Sequence, residues 1–138
     1  MSRVSRITVS IEDSLLEKFE SYLTENGFPS RSEAVKHLIR NLLVDEEWKE
    51  GTDVAASLSI VYDHHKGGLM ESLVHIQHNF ENLVVCSQHV HLDHNNCMEV
   101  LVLKGDASDI NSLYRELKSV KGVKHCSLMK GTTGGNLG

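Results

Sequence analysis

The chain has 138 residues, of which 40% are hydrophobic and 24% are charged, and its formal net charge is −5. This composition is sufficient for packed domains, and no apolar run approaches the roughly 20 residues that a membrane-spanning helix needs. We therefore expect a protein that does not enter a membrane. The three cysteines have no scaffold-like spacing, which favours a reducing compartment and predicts a cytoplasmic protein.

The first predicted element is a short strand. Residues 6–11 alternate strictly between polar and apolar types, with Arg6, Thr8 and Ser10 on the polar face. A single strand in a segment of about 45 residues has no partner and too little core, unless two copies pair their strands in an antiparallel ribbon. Such a ribbon fits the major groove of DNA, so we expect Arg6, Thr8 and Ser10 to contact base edges.

Two helical patterns follow this strand. The first ends at Gly27, a typical C-terminal cap, and the second begins at Ser30-Arg-Ser-Glu, which has the spacing of a capping box. The first turns of the second helix offer backbone amides and cations to DNA phosphates. The residues predicted to contact phosphate are Arg31, Ser32 and Lys36. We assign residues 1–48 to this strand–helix–helix domain and the polar residues 49–53 to a linker.

The charge of this first part is unfavourable for DNA binding. The first 50 residues carry seven basic and ten acidic side chains, although the first eleven hold Arg3 and Arg6 and no acid. Because neutralisation of phosphates drives non-specific affinity, a body of this charge binds DNA weakly without further help.

The second half alternates between strand and helix patterns. The order βαββαβ predicts an α+β fold of the ferredoxin-like type, with helices on one side of an antiparallel sheet. The predicted strands are residues 54–62, 83–91, 97–103 and 123–129, and the predicted helices are 66–80 and 107–120. This domain spans residues 54–130, and a flexible Gly-rich tail occupies 131–138.

A candidate metal site lies on the hairpin in the middle of this domain. His89 and His91 share one face of a strand, and a short polar turn brings Cys97 on the next strand beside them. Imidazoles with a thiolate suit Zn, Ni, Cu or Co rather than Mg or Ca, and a fourth ligand is missing. Glu99, on the same face, is placed to hold a ligand imidazole by a hydrogen bond. A role for Cys97 as a catalytic nucleophile is less well supported than a role as a metal ligand, because no group that would orient a histidine base is evident. We therefore predict that the chain is not an enzyme.

These motifs carry a family resemblance. The strand–helix–helix pattern with Gly-Phe-Pro-Ser-Arg-Ser-Glu-Ala resembles a ribbon-helix-helix repressor domain, an intertwined dimer. Together with the downstream His-Val-His and Cys, residues 6–128 resemble the NikR family of nickel-responsive transcriptional regulators. In that family the C-terminal domain is ACT-like and forms the core of a homotetramer, a dimer of dimers.

The resemblance implies further assignments. One Ni2+ per subunit would be held by His89, His91, Cys97 and the residue that follows Gln77, which is His78, supplied by a neighbouring subunit. On the residues alone, His78 is an exposed position on the polar side of its helix. The resemblance also places Tyr62 and His64 near the metal. Nickel would promote binding to a palindromic DNA operator and so repress nickel uptake genes.

One departure and two alternatives remain open. His37 stands where some family members carry a carboxylate that helps the equivalent of Glu33 bind a second cation, so that auxiliary site is unassigned. The chain is alternatively a sensor of Zn, Co or Cu with the same architecture. The second alternative is an ACT module that binds metal or another ligand but does not bind DNA. In that case the polar face of the first strand is only an exposed surface.

Overall fold

The computed structural model describes residues 3–138. The chain divides into two compact units, one of residues up to Leu43 together with Leu137–Gly138, and one of Val44–Asn136. Among the described residues, no helix combines the length and the apolar character that crossing a membrane requires.

The first unit contains helix α1, Asp13–Glu25, and the start of helix α2, Arg31–Glu50. Residues 3–12 form no paired strand and are exposed along their length. A strand exists only through hydrogen bonds to a neighbour, and the predicted neighbour is a second copy of the chain. The strand at residues 6–11 and the ribbon therefore stay predictions.

Both helix ends that the sequence predicted are confirmed. Gly27 adopts a left-handed φ of 69°, and the amide of Phe28 donates to the carbonyl of Leu23 at 3.0 Å, which closes the end of α1. At the start of α2, the hydroxyl of Ser30 accepts from the amide of Glu33 at 3.2 Å.

Most apolar side chains of the first unit are not covered. Leu23 and Ala34 are its only buried hydrophobic residues among those described. The large apolar side chains that remain exposed are Val4, Ile7, Val9, Ile11, Leu15, Tyr22, Leu38, Ile39, Leu42 and Leu43. With so little core, we expect this unit to need a second copy for its stability.

The end of α2 belongs to the second unit. Trp48 is buried there, and its indole Nε1 donates to the carbonyl of Gly131 at 2.8 Å. The helix continues to Glu50, so it overlaps the first two residues of the segment 49–53 that the sequence predicted as a linker. Only residues 51–53 separate α2 from the first strand, because the buried indole holds the last turn of the helix in place.

The second unit has the predicted order βαββαβ. Its elements are β1 Val54–Asp63, α3 Leu69–Asn79, β2 Val84–His91, β3 Asn96–Gly105, α4 Ala107–Lys118 and β4 Val123–Lys130. The four strands form one antiparallel sheet in the order β2-β3-β1-β4. The α+β class and the sheet predicted from the sequence are confirmed.

One face of this sheet forms the core with the two helices. Every second residue of β1 is buried, ending at Tyr62. These side chains cluster with residues of β3, α3 and α4. Helix α4 begins at an Asp106 cap, whose carboxylate accepts from the amide of Ser108 at 2.9 Å. On α3, Leu69 and Leu73 are buried while His78 is exposed, as the helical spacing predicted.

Candidate metal centre

The strand register brings the predicted ligands to one face of the sheet. In the β2–β3 hairpin His91 pairs with Cys97 and His89 pairs with Glu99. On the other side of β3, Tyr62 of β1 also pairs with Cys97. Since paired residues of neighbouring strands point to the same face, all five side chains lie on the face that the core residues share.

A tight turn fixes the two ends of this hairpin. The carboxylate of Asp93 accepts from the amides of Asn95 at 2.9 Å and Asn96 at 2.8 Å. The Asn96 side-chain amide and these backbone amides lower the pKa of Asp93 to about 2. The turn therefore keeps His91 and Cys97 in register without any metal.

The Cys97 sulfur is the centre of the cluster. The residue is fully buried, and its Sγ lies 3.2 Å from Nδ1 of His91 and 3.2 Å from Nδ1 of His64. The potential ligand atoms of these three residues lie within 4.8 Å of one another. Burial raises the pKa of the Cys97 thiol, and the charges of Asp63 and Asp93 raise it further. A bound cation has the opposite effect, because it stabilises the thiolate.

His64 is closer to the sulfur than the sequence indicated. The family resemblance placed it only near the metal, whereas its imidazole contacts Sγ directly. The reason lies in the β1–β3 register, which ends with Asp63 beside Asn96, and in the amide of His64, which donates to the carbonyl of Asn95 at 3.2 Å. Spacing along the chain carries no information about this pairing.

His89 sits in a hydrogen-bonded chain of its own. Its ring centroid is 5.3 Å from that of His91, and its Nδ1 is 3.3 Å from the Tyr62 hydroxyl. That hydroxyl donates to Glu99 Oε2 at 3.5 Å, and Glu99 Oε1 accepts from Gln77 Nε2 at 3.1 Å. Burial, then the charges of Glu99 and Cys97, raise the pKa of Tyr62 to about 12, so the phenol is neutral. Gln77 was noted in the sequence only as the neighbour of His78.

Among residues 3–138, His78 contacts none of the other predicted metal ligands. Its side chain is 73% exposed and lies 3.5 Å from the carboxylate of Glu81. The two groups of potential ligands found among residues 3–138 include neither His78 nor His89. A role in metal binding therefore requires a second chain, as the resemblance implied, and it stays a prediction.

The residues predicted to contact DNA are all exposed. Arg6, Thr8 and Ser10 lie in the unpaired N-terminal segment. At the start of α2, Arg31 forms an ion pair with Glu20, and Lys36 forms one with Glu33 at 3.1 Å. Ser32 is exposed as well, and Glu33 beside His37 is already engaged by that lysine.

The chain is similar in sequence to a known protein family and to several known proteins. The family described as "NikR C terminal nickel binding domain" matches residues 55–130. A protein of Nitratidesulfovibrio vulgaris strain Miyazaki F, named as a nickel-responsive regulator, is 48% identical over 99% of both chains. A protein of the same name from Methanococcus maripaludis strain C6 is 46% identical over 99% of both chains.

A solved structure shares the fold of the second unit. An uncharacterized protein from Thermotoga maritima aligns with a TM-score of 0.52 and 22% identity, covering 56% of this chain and 96% of its own. The names of the sequence relatives describe regulators rather than enzymes. Because the family match covers more than half of the chain and these relatives align along nearly all of it, the chain belongs to the NikR family of nickel-responsive regulators.

Proposed function

We propose that this chain is a nickel-responsive transcriptional repressor that binds DNA. One Ni2+ per subunit is held by His89, His91 and Cys97 of one chain and by His78 of a neighbouring chain. The observation that carries the proposal is the buried Cys97 sulfur, which already lies at 3.2 Å from an imidazole nitrogen of His91. The family to which the chain belongs supports the choice of nickel.

The donor atoms fit a transition metal. A thiolate and imidazoles bind Ni, Zn, Cu and Co, whereas Mg and Ca require oxygen ligands. Three donors from one chain leave a position for a fourth, and His78 is exposed and held only by Glu81. When bound, the ion supplies a link between neighbouring subunits, in exchange for the Cys97 thiol proton.

The hydrogen bonds around His89 favour coordination through Nε2. The Tyr62 hydroxyl has one proton, which it donates to Glu99, so its oxygen accepts from Nδ1–H of His89. That arrangement fixes the tautomer in which Nε2 carries the free lone pair, the usual effect of a hydrogen-bonded neighbour on a ligand histidine. For His91, it is Nδ1 that lies 3.2 Å from the Cys97 sulfur.

The DNA-binding part of the proposal needs two copies of the first unit. Paired strands would present Arg6, Thr8 and Ser10 to base edges of a palindromic operator, with Arg31, Ser32 and Lys36 at phosphates. The exposed apolar side chains of residues 3–43 support this pairing, because a second copy is the simplest way to cover them. Arg31 and Lys36 form ion pairs with Glu20 and Glu33 of the same chain. These ion pairs weaken the attraction of a single unit for phosphate.

Nickel would act by shifting the balance between subunit arrangements. The homotetramer, a dimer of dimers, binds DNA when both ribbon dimers reach one operator. Nickel favours that state only to the extent that the ion binds it more tightly than the other arrangements of the subunits. By the family resemblance, the controlled genes serve nickel uptake. A sensor of Zn, Co or Cu is the alternative, favoured by the compact trio His64, His91 and Cys97, which suits a tetrahedral ion.

The test combines a spectrum with a DNA-binding assay. The full-length protein is titrated with Ni2+, and we expect a thiolate-to-nickel charge-transfer band that saturates at one ion per chain. Cys97→Ala removes the band, while Cys86→Ala, which alters an exposed thiol, keeps it. Saturable binding of Zn2+, together with no charge-transfer band on addition of Ni2+, would favour the alternative, a sensor of another metal.

The second arm is a gel shift on the promoter region of a nickel uptake operon from the same genome. Nickel is expected to increase the affinity of the wild type and of Cys86→Ala, but not of Cys97→Ala. Arg6→Ala is expected to lose specific binding while it keeps the charge-transfer band. Equal, weak binding of every variant with and without nickel would contradict the repressor proposal and favour a metal-binding module without DNA.

A further inference from the structure

Four histidines lie in a line that passes the buried Cys97 sulfur. Neighbouring rings in this line are close together. The centroid distances are 5.3 Å from His91 to His64, 4.0 Å from His64 to His65 and 5.6 Å from His65 to His94. His65, His94 and His91 are exposed, His64 is partly exposed, and Cys97 is fully buried. His64 therefore lies between the exposed imidazole of His65 and the buried sulfur, which it contacts.

The outer part of this line contains a second group of metal-binding side chains. The potential ligand atoms of Asp63, His64 and His65 lie within 4.8 Å of one another. Ligands bound at roughly 2.1 Å to one ion are at most about 4.2 Å apart, so small rotations of these partly exposed side chains are sufficient to close the group. Two imidazoles and a carboxylate form a set that transition metals accept.

The turn after β1 holds this group together. Asp63 Oδ1 accepts from the amide of His65 at 2.9 Å and lies 3.3 Å from Nδ1 of the same residue. The exposed His94, on the hairpin turn, lies next to His65 and offers a further imidazole. The resemblance to the family assigned no role to Asp63, His65 or His94.

We propose that Asp63, His64 and His65 form an outer transition-metal site, with His94 as its next ligand, from which His64 passes the ion to Cys97. His64 belongs to both ligand groups, because it contacts the Cys97 sulfur while it adjoins His65. The transfer exchanges ligands only: a metal–sulfur bond replaces the thiol S–H bond, the proton leaves to water, and the charge of the ion is unchanged. The transfer step, but not the outer site, rests on the proposed function.

The outer site is tested where the inner one is disabled. Tag-free, full-length Cys97→Ala is equilibrated with NiCl2 by dialysis, and we expect it to retain one nickel ion per chain. Adding His65→Ala and His94→Ala to this variant is expected to remove that ion. Adding His75→Ala, an exposed histidine on α3, is expected to leave it bound. Circular dichroism verifies that each variant is folded. No retained nickel in Cys97→Ala, or equal retention in the variant that lacks His65 and His94, would overturn the site.

The transfer is tested by kinetics with Cys97 present. After mixing with a limiting amount of Ni2+, the charge-transfer band is expected to appear severalfold more slowly in His65→Ala/His94→Ala than in wild type or His75→Ala, with the same final amplitude. Equal rates in all three proteins would refute the transfer. If the wild type shows no band while Cys97→Ala still retains one ion, the proposed function fails and the outer site stands.

Discussion

The Tyr62 hydroxyl links the His89 imidazole to Glu99 and, through Gln77, to α3. It lies 3.3 Å from Nδ1 of the imidazole and donates to Glu99, which Gln77 holds from α3. Neighbours of this kind orient a ligand and raise its basicity, and they influence metal affinity although they never touch the ion.

We predict that Tyr62→Phe weakens nickel binding without abolishing it. Loss of a hydrogen-bonded neighbour of a ligand typically costs about 10- to 100-fold in affinity. Competition with a chelator measures the effect, and Tyr114→Phe, on α4, is the matched control. An unchanged affinity would mean that His89 is oriented by other contacts or is not a ligand.

At this scale the sequence predicted which residue types make the site but not all of their contacts. Alternation along β2 and the polar turn before Cys97 were sufficient to bring His91 to the sulfur. The contact of His64 depends on pairing between β1 and β3, which are separated by a helix and another strand. The contact of Gln77 with Glu99 depends on the packing of α3, and a local pattern describes neither.

Among the elements, α2 ends in a specific contact with the second unit's C-terminal residues. The only tryptophan of the chain, Trp48, is buried at this end and donates to the Gly131 carbonyl. An unpaired buried acceptor costs about 1–3 kcal/mol.

We therefore predict that Trp48→Phe lowers the free energy of unfolding of the second unit by about 1–3 kcal/mol. Urea denaturation followed by far-ultraviolet circular dichroism measures it, since the variant lacks the fluorophore. Lys130→Gln, which removes the cation 5.4 Å from the indole centroid, is expected to change stability by less than about 1 kcal/mol. A larger loss in the lysine variant would contradict this account of the anchor.

Helix α4 depends on the ionised carboxylate of Asp106. Hydrogen bonds from the side chain and the amide of Ser108 lower the pKa of Asp106 below its ordinary value of 3.8. A pKa that is lower in the folded state gives stability that is present above pH 3.8 and lost as the pH falls through the folded value.

We expect Asp106→Asn, which keeps a cap but not the charge, to lose this pH dependence. The difference in unfolding free energy between wild type and Asp106→Asn is then constant from pH 5 to 7 and falls below about pH 4. Asp109→Asn, which changes the acidic residue three positions further along α4, serves as the control. A difference that stays level through acid pH would show that the charge of the cap is unimportant.

The elements of the second unit were predictable because each finds its partners within the same chain. Alternating and helical apolar patterns place β1 to β4, α3 and α4 nearly at their observed bounds. Residues 6–11 have an equally clear alternation, yet a single chain offers them no neighbour. The end of α2 was predicted too early, because the acidic run that includes Asp45 and Glu50 masks the buried Trp48.

For the whole molecule, the uncovered apolar surface of the first unit leads us to predict that this unit folds only when it assembles with a second copy. Leu42 is 60% exposed on α2, and Ile7 and Val9 are each 69% exposed. Exposed apolar area of this extent marks an interaction surface.

We predict that Leu42→Glu disrupts pairing of the first unit and, with it, DNA binding. The variant is expected to lose helical circular dichroism and the gel shift while it keeps the charge-transfer band of the second unit. Lys18→Glu, an exposed charge on α1, is expected to keep the helical signal. Wild-type protein that light scattering finds at 15.4 kDa, the mass of one chain, would contradict an obligatory assembly.

The full burial of Cys97 also governs how the protein withstands oxidants. Cys86 is exposed, while the thiol of Cys126 is half-buried and its pKa is raised by burial to about 11. Peroxides and alkylating reagents attack accessible thiolates first, so Cys86 reacts before the other two sulfurs. The sulfur that we propose as a nickel ligand is thus shielded by the same packing that raises its pKa, so we expect nickel binding to survive oxidation of the surface thiol.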